Sequence, residues 1–199
     1  MKPNQKPINH LKKDKVFKKI VKTTVLNTYP KSKSCYNALV KSITSQQLSV
    51  KAAASIYGRL QILCKNRITK KGILLMDHDL LRSVGLSNSK AGYIKNVATF
   101  FTEQKLTDSK IQKLTDEEII QLLTQIKGVG RWTVQMMLMF QLERPDVFPI
   151  GDLEIRKQMI NLYQVKEEGK SQLAKLEEIA SHWSPYKTLA SIYLWSYDG

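Results

Sequence analysis

Apolar residues recur at helical spacing along most of the chain. The clearest run follows three acidic residues at 116–118 and places apolar side chains at i, i+3, i+4 and i+7, namely Ile119, Leu122, Leu123 and Ile126. Acidic residues suit the positive end of a helix, so a helix is predicted here. Further helices are predicted at 13–27, 35–44, 49–63, 78–84, 89–103, 131–141, 153–164, 170–182 and 186–197. No segment shows the alternation of a strand, and the pattern therefore predicts an all-α fold.

A turn with two glycines separates two of the most apolar helices. Gly128 and Gly130 stand on either side of one residue, so the backbone can turn tightly and approach a ligand closely. The next helix starts directly afterwards, and its unpaired N–H groups and dipole favour an anion such as phosphate. Lys127 and Arg131 add positive charge beside the turn. A plain glycine-capped helix junction is the alternative for this pattern taken alone.

An irregular loop downstream ends in a carboxylate. Two prolines and a glycine, Pro145, Pro149 and Gly151, lead to Asp152 immediately before the helix predicted from 153. Asp is a preferred N-cap residue, and a capping role alone is one interpretation. The helix start also stabilises negative charge, and a carboxylate can stabilise a sugar that becomes positive as its base departs.

The charge balance indicates a polyanionic partner. The 199 residues include 32 Lys and Arg against 17 Asp and Glu, a formal charge of +15, and residues 1–41 contain eleven lysines and one acid. Nucleic acid, anionic lipid and a generally lysine-rich composition all fit this charge. No stretch approaches the roughly 20 apolar residues of a membrane span, and the N-terminus lacks a secretory signal. We therefore expect an intracellular protein that does not enter a membrane.

The potential metal ligands are scattered. Cys35 and Cys64 do not form a CxxC pair, and the three histidines lie far apart, at His10, His78 and His182. We expect free thiols and no metal centre.

Four segments, in this order, resemble the HhH-GPD superfamily, most closely its 3-methyladenine DNA glycosylase II branch. They are 42–53 (SITSQQLSVKAA), 128–133 (GVGRWT), 147–152 (VFPIGD) and 183–195 (WSPYKTLASIYLW). The resemblance covers about residues 35–197. It implies two helical lobes with a central cleft and a helix-hairpin-helix motif at about 117–141. Residues 1–34 would form a basic N-terminal helix of the terminal lobe, 35–145 the central lobe, and 146–199 the rest of the terminal lobe and the catalytic cleft.

The same resemblance assigns roles to individual residues. Asp152 is the expected catalytic carboxylate. Gln47 is the expected wedge that fills the gap left by an everted nucleotide, supported by Gln46 and Leu48. The DNA-binding hairpin comprises Lys127, Gly128, Val129, Gly130, Arg131 and Thr133. The base pocket comprises Trp132, Tyr186, Met136 and Leu153.

The activity implied is hydrolysis of the N-glycosidic bond of flipped-out alkylated purines, of the 3-methyladenine and 7-methylguanine class. Such bases are cationic, and aromatic side chains select them by stacking and cation–π attraction. Bifunctional relatives have a Schiff-base lysine at the position of Trp132, so the resemblance implies an enzyme without AP-lyase activity. The alternatives are a non-catalytic helix-hairpin-helix DNA-binding module and a related glycosylase with another damaged-base target.

Expectations about partners complete the hypothesis. We expect a monomer that binds double-stranded DNA containing damaged bases, in the cytoplasm or nucleoid of a bacterium or the nucleus of a eukaryote. No cofactor is expected, apart from a monovalent cation that the resemblance allows at the hairpin. We also expect a valine at Gly128 to impair DNA binding more than folding.

Overall fold

The computed structural model describes residues 5–197. Over this range it contains helices joined by turns and loops, without strands, so the predicted all-α fold is confirmed. The helices are α1 (Gln5–Leu11), α2 (Lys15–Thr23), α3 (Cys35–Ser45), α4 (Val50–Leu63), α5 (Lys70–Leu75), α6 (His78–Ser83), α7 (Asn88–Glu103), α8 (Asp108–Gln112), α9 (Asp116–Leu123), α10 (Arg131–Phe140), α11 (Leu153–Tyr163), α12 (Gly169–Ser181) and α13 (Lys187–Ser196).

The predicted helices are present, but some of their bounds differ. The helix predicted at 13–27 begins after Asp14, whose carboxylate accepts hydrogen bonds from two N–H groups of the first turn, and it ends at Thr23. The apolar pattern did not predict α1, α5 and α8, which have 7, 6 and 5 residues. Helices this short span too few turns to display a clear repeating apolar face; of the short helices, α6 with 6 residues was predicted.

The chain divides into two compact units. One comprises Lys31–Leu142, and the other comprises the residues up to Pro30 together with those from Glu143 onward. The chain passes between units after Pro30 and after Leu142, where the sequence analysis had put boundaries after residues 34 and 145. No helix in the described part of the chain is long and apolar enough to cross a membrane.

The unit 31–142 is built around α3 and α7. Helix α7 packs against α3, α5 and α6, and α3 also packs against α4 and α10, which in turn contacts α9. Side chains that are almost fully buried form this core, including Leu39, Ile43, Leu60, Ile94, Phe101, Leu123 and Leu138. Packing of these apolar faces fixes where α3, α9 and α10 end, and therefore where their loops emerge.

The second unit has its core around a buried tryptophan. Trp183 contacts Phe17 edge to face at a centroid distance of 5.0 Å, and Phe148 in the same manner at 5.8 Å. Its indole N–H donates to the Asp14 carboxylate at 3.3 Å. Helix α11 packs against α12 and α13, and α13 also contacts α2. Helix α11, which follows Asp152, is therefore held by tertiary contacts within this unit.

Candidate functional site

The glycine turn connects α9 to α10. Helix α9 begins with a capping box, in which the Glu118 carboxylate accepts from the Thr115 N–H at 2.7 Å and the Thr115 hydroxyl accepts from the Glu118 N–H at 3.3 Å. At the other end of α9 the Val129 N–H donates to the Ile126 carbonyl at 2.9 Å, and both side chains are buried. The buried side chains of Ile126 and Val129 therefore anchor the turn in the core.

The two glycines of the turn are required for different reasons. Gly128 has φ of +99°, and a Cβ placed on it would lie 2.1 Å from Cγ of the Tyr93 ring. Gly130 is the N-cap of α10, has an extended backbone with φ of −94°, and its Cβ would meet nothing within 4 Å. No side chain at this N-cap accepts the first N–H groups of α10. Those donors and the helix dipole suit an anion that approaches Gly130.

The two predicted cationic contacts differ in their surroundings. The Lys127 side chain is exposed. The Arg131 guanidinium forms two hydrogen bonds with the Glu117 carboxylate, at 3.0 and 3.2 Å, and both side chains are more than half exposed. Exposed ion pairs contribute only about 0–1 kcal/mol, so a phosphate can compete for Arg131.

Two residues of the predicted DNA-binding hairpin lie in the interior. Val129 is 4% exposed and Thr133 is 2% exposed. The amide nitrogen Nε2 of Gln46 donates to the Thr133 hydroxyl and to the Gly128 carbonyl, both at 3.3 Å. These three side chains support the turn from within, which leaves the backbone of Gly130 and the cations to face solvent.

Residues 46–48, which we call the wedge turn, connect α3 to α4. Gln46 ends α3, and Gln47 adopts a left-handed backbone with φ of +56°. Gln47 and Leu48 are exposed, and Ser49 caps α4 by accepting from the Ala52 N–H. The structure thus presents Gln47 and Leu48 outwards, while Gln46 is tied to the hairpin.

Three carbonyls of the hairpin accept hydrogen bonds. The carbonyl of Ile126 accepts from Val129, that of Lys127 accepts from Asn96 Nδ2 at 3.2 Å, and that of Gly128 accepts from Gln46. Each carbonyl has a second lone pair, so the monovalent cation expected at the hairpin stays a prediction. Within residues 5–197 no group of three or more His, Cys, Asp or Glu side chains is arranged to hold a metal ion.

Asp152 is the N-cap of α11. Its Oδ1 accepts from the N–H groups of Glu154 and Ile155, both at 3.0 Å, and from the indole N–H of Trp195 at 3.1 Å. The carboxylate is partly exposed. Three donors on one oxygen hold the side chain in a single orientation at the positive end of the helix, which stabilises its negative charge.

The loop before Asp152 is fixed by contacts with α13. Asp146 accepts from the Ser184 hydroxyl at 2.5 Å and from the Lys187 N–H at 3.2 Å. The Thr188 hydroxyl donates to the Arg144 carbonyl at 2.6 Å and accepts from the Val147 N–H at 3.0 Å. The predicted irregular loop is therefore an ordered support for the carboxylate.

The four residues predicted for the base pocket are divided between the units. Trp132 and Met136 lie four residues apart on α10, where one helix face brings them together, and Trp132 is 37% exposed. In the other unit, Leu153 is exposed at the start of α11, and Tyr186 contacts the His10 ring at a centroid distance of 5.4 Å. Their role as a base pocket stays a prediction.

Several residues that position these loops and the carboxylate were not predicted from the sequence. Trp195 was only part of a matching segment, and its bond to Asp152 spans 43 residues. Lys90, Tyr93 and Asn96 on α7 contact the wedge turn and the hairpin, and no motif singled them out. Their spacing of three residues indicated that they share one face of a helix. The sequence alone did not indicate which loops that face contacts.

Comparison with known proteins identifies a family. The family model for the HhH-GPD superfamily of base excision DNA repair proteins matches residues 40–185. DNA-3-methyladenine glycosylase 1 of Schizosaccharomyces pombe is 37% identical over 190 residues, which are 92% of this chain and 82% of that protein.

Solved structures agree with this match. The structure of the S. pombe 3-methyladenine DNA glycosylase in complex with abasic DNA has a TM-score of 0.84 and 33% identity, and the match covers 96% of this chain and 95% of that one. A DNA-3-methyladenine glycosidase of Bacillus halodurans has a TM-score of 0.81 and 30% identity, with 95% and 87% covered.

Proposed function

The chain belongs to the HhH-GPD superfamily of base excision DNA repair proteins, and we propose that it is a DNA glycosylase that excises alkylated purines. The proposed reaction is hydrolysis of the N-glycosidic bond of a 3-methyladenine or 7-methylguanine nucleotide that has left the duplex. The observation that carries this proposal is the Asp152 carboxylate, fixed at a helix start by two backbone donors and one indole donor.

We propose that Asp152 stabilises the developing positive charge on the sugar. Glycoside cleavage passes through an oxocarbenium-like transition state, and a fixed negative charge beside it lowers the barrier. The donors to Oδ1 keep the carboxylate from rotating as charge develops. The N-glycosidic bond breaks with its electron pair going to the cationic base, which leaves as a neutral purine, and water adds to the anomeric carbon and gives up a proton to solvent.

The hairpin and the wedge turn support the same function from the DNA side. Phosphate contacts position a protein on a duplex without reading its sequence, which suits an enzyme that must find rare damage. We propose that Lys127, Arg131 and the first N–H groups of α10 bind phosphate on the damaged strand. We propose that Gln47 enters the base stack, where it recovers part of the few kcal/mol that unstacking costs.

The substrate class follows from the charge of the lesion. Trp132 and Tyr186 offer aromatic surface to an electron-deficient purine, and Met136 and Leu153 offer apolar surface. A cation over an aromatic face gains about 0.5–2 kcal/mol, depending on desolvation. Alkylated purines are cationic and already have weakened glycosidic bonds, so a modest aromatic surface suffices to favour them over normal bases.

The test is base release from methylated duplex DNA by the wild type, Asp152→Asn and Asp14→Asn. Asn is as good an N-cap as Asp, so Asp152→Asn removes the charge while its side-chain oxygen can still accept the capping bonds. We expect a loss of at least about 10²-fold in the rate of release with folding retained. Comparable release by Asp152→Asn and wild type would refute the catalytic assignment.

Asp14 provides a matched control in the same unit. It is also an N-cap, and it also accepts from an indole N–H, that of Trp183. Asp14→Asn therefore makes the same chemical change in a similar setting. We expect it to affect stability more than the rate of release per folded molecule.

Two further measurements separate the alternatives. With Trp132 at the position of the lyase lysine, borohydride should trap no covalent protein–DNA adduct, and efficient trapping would refute monofunctional chemistry. Tight duplex binding without release of any damaged base would support the non-catalytic module. Release confined to oxidised or mismatched bases would support the alternative of a related glycosylase with another damaged-base target.

We also propose that a monomer performs this reaction without a metal or organic cofactor, since the hydrolysis uses only a carboxylate and water. Release should persist in a chelator, and one protein per duplex should saturate binding. Loss of release that an added divalent metal restores would contradict the cofactor proposal.

A further inference from the structure

One face of α7 contacts both loops that are proposed to touch DNA. Lys90, Tyr93 and Asn96 follow one another on this helix at a spacing of about one turn. Lys90 reaches the last turn of α3, and Tyr93 lies against Gly128. Asn96 donates to the Lys127 carbonyl at 3.2 Å. A single rigid helix therefore sets the wedge turn and the hairpin relative to each other within the unit 31–142.

Lys90 makes the contact with the wedge turn. Its ammonium Nζ donates to the carbonyls of Thr44 at 3.0 Å and Gln46 at 2.6 Å. Burial lowers the pKa of this lysine, so holding the ammonium here has an energetic cost. Nζ therefore donates both of its recorded hydrogen bonds to backbone carbonyls at the end of α3.

The turn after α3 satisfies only part of the helix end: the Gln46 N–H donates to the carbonyls of Ser42 and Ile43, and the Leu48 N–H donates to that of Ser45. The carbonyls of Thr44 and Gln46 accept from Lys90. A helix end exposes several carbonyls and the negative end of the dipole, and basic side chains or a C-terminal glycine usually satisfy them. The last turn of α3 carries no basic residue. The chain instead continues through Gln47, whose left-handed φ of +56° is unfavourable for a residue with a side chain. Lys90 completes the cap from another helix.

The contact continues from the wedge turn to the hairpin. The backbone carbonyl of Gln46 accepts from Lys90, while the side chain of Gln46 donates to Gly128 and Thr133 at 3.3 Å. Movement of the wedge turn would therefore strain the hydrogen bonds between Gln46 and the hairpin. This is the geometry expected if binding at one loop fixes the other.

We propose that Lys90 is a positioning residue that holds the wedge turn in register with the hairpin, so that Gln47 enters the base stack when the hairpin binds phosphate. This inference rests on the proposed function, because it gives the wedge turn a role in nucleotide eversion. Lys90 need not touch the substrate.

The test compares Lys90→Met, Lys90→Arg and Lys95→Met. Met keeps the length and apolar stem of Lys90 without the donors, and Arg restores donors. Lys95 is a partly buried lysine of the same helix, and in residues 5–197 no hydrogen bond is recorded from it to the wedge turn or the hairpin. All measurements are made at a temperature where urea titration shows each variant to be folded.

The first readout is the rate of base release under single-turnover conditions. For a methylated base paired within a duplex, Lys90→Met should be about ten- to a hundredfold slower, because a misplaced wedge lowers the fraction of everted nucleotide. For the same base in single-stranded DNA, which needs no wedge, the rate should change less than about twofold. Lys90→Arg should recover most of the duplex rate, and Lys95→Met should match the wild type.

The second readout does not need catalysis. A duplex with 2-aminopurine next to an abasic site becomes more fluorescent when a wedge unstacks the neighbouring base. Lys90→Met should lose most of this increase and keep the salt dependence of binding, whereas a direct phosphate contact would lower the slope by about one unit.

Three results would overturn the inference: an unchanged fluorescence increase in Lys90→Met, equal slowing on single-stranded and duplex substrates, or a reduced salt slope. Failure of the wild type to release any alkylated base would instead reject the proposed function. The fluorescence measurement would then still show whether Lys90 positions the wedge turn. If Lys90→Met does not fold, Lys90→Leu, which also lacks donors, replaces it with the same criteria.

Discussion

Substitution of the two hairpin glycines should separate folding from DNA binding. A methyl group at Gly128 would lie 2.1 Å from Cγ of Tyr93 and 2.5 Å from both Cδ atoms, at a residue with φ of +99°. The unfavourable backbone costs about 1–3 kcal/mol, and forcing the ring aside costs about 1–3 kcal/mol more. Gly128→Ala should therefore lower the free energy of unfolding by about 2–6 kcal/mol.

Gly130→Ala provides the contrast. Its backbone is acceptable for alanine and its Cβ would meet no atom within 4 Å, so the loss of stability should stay below about 1 kcal/mol. The methyl would, however, project beside the first N–H groups of α10. If it displaces one hydrogen bond to a charged phosphate, affinity should fall about tenfold or more.

The assay combines urea unfolding with fluorescence anisotropy on a duplex that contains an abasic site. A double-mutant cycle of Gly128→Ala with Tyr93→Ala isolates the clash, since removal of the ring relieves the contact but not the backbone strain. The coupling energy should be about 1–3 kcal/mol. Stability of Gly128→Ala within about 0.5 kcal/mol of the wild type, or zero coupling to Tyr93, would refute this reasoning.

Three other predictions concern the cap, the carboxylate and the charge. Lys127→Gln should weaken binding to damaged and undamaged duplexes equally and reduce the salt slope by about one unit; a lesion-specific loss in anisotropy titrations would contradict a phosphate contact. Trp195→Phe removes a donor to Asp152 and should slow base release about tenfold with little change in DNA affinity, whereas an unchanged rate would mean that the indole only packs. The backbone N–H and then the hydroxyl of Thr115 lower the pKa of Glu118, so its stabilising effect is complete above the ordinary glutamate range and is lost as the pH falls through the lowered value. The stability difference between wild type and Glu118→Gln in urea unfolding should shrink on acidification. A difference that grows on acidification would contradict a lowered pKa of Glu118 in the folded protein.

The sequence predicted the long helices because their apolar faces repeat over several turns. It also predicted the glycine turn between α9 and α10 and the loop that ends at the N-cap Asp152, since glycine, proline and aspartate have strong local preferences. The short helices α1, α5 and α8 lacked enough turns to show a face. Local preference was therefore sufficient wherever the determining residues are neighbours in sequence.

Contacts between distant residues were not predictable in this way. The need for glycine at 128 depends partly on Tyr93, which is 35 positions earlier in the chain. For this reason we now expect a valine at Gly128 to impair folding as well as binding, contrary to the expectation from the sequence alone. Gly130, where added atoms meet open space, is the better probe of DNA contact.

Asp14 and Asp152 show why a local pattern does not identify a catalytic residue. Both are N-caps that accept two backbone N–H groups and an indole N–H. Asp14 also accepts from the Tyr163 hydroxyl at 2.6 Å, so its two oxygens are held by donors from α2, from α11 and from the buried Trp183. Burial and the bond to Asp14 raise the pKa of Tyr163, which therefore remains a neutral donor. Asp14 thus links α2 to α11 and to the buried Trp183, whereas Asp152 links the start of α11 to α13. Because Asp14 ties together more of the core, Asp14→Asn should mainly lower stability, and Asp152→Asn should mainly lower the rate of release.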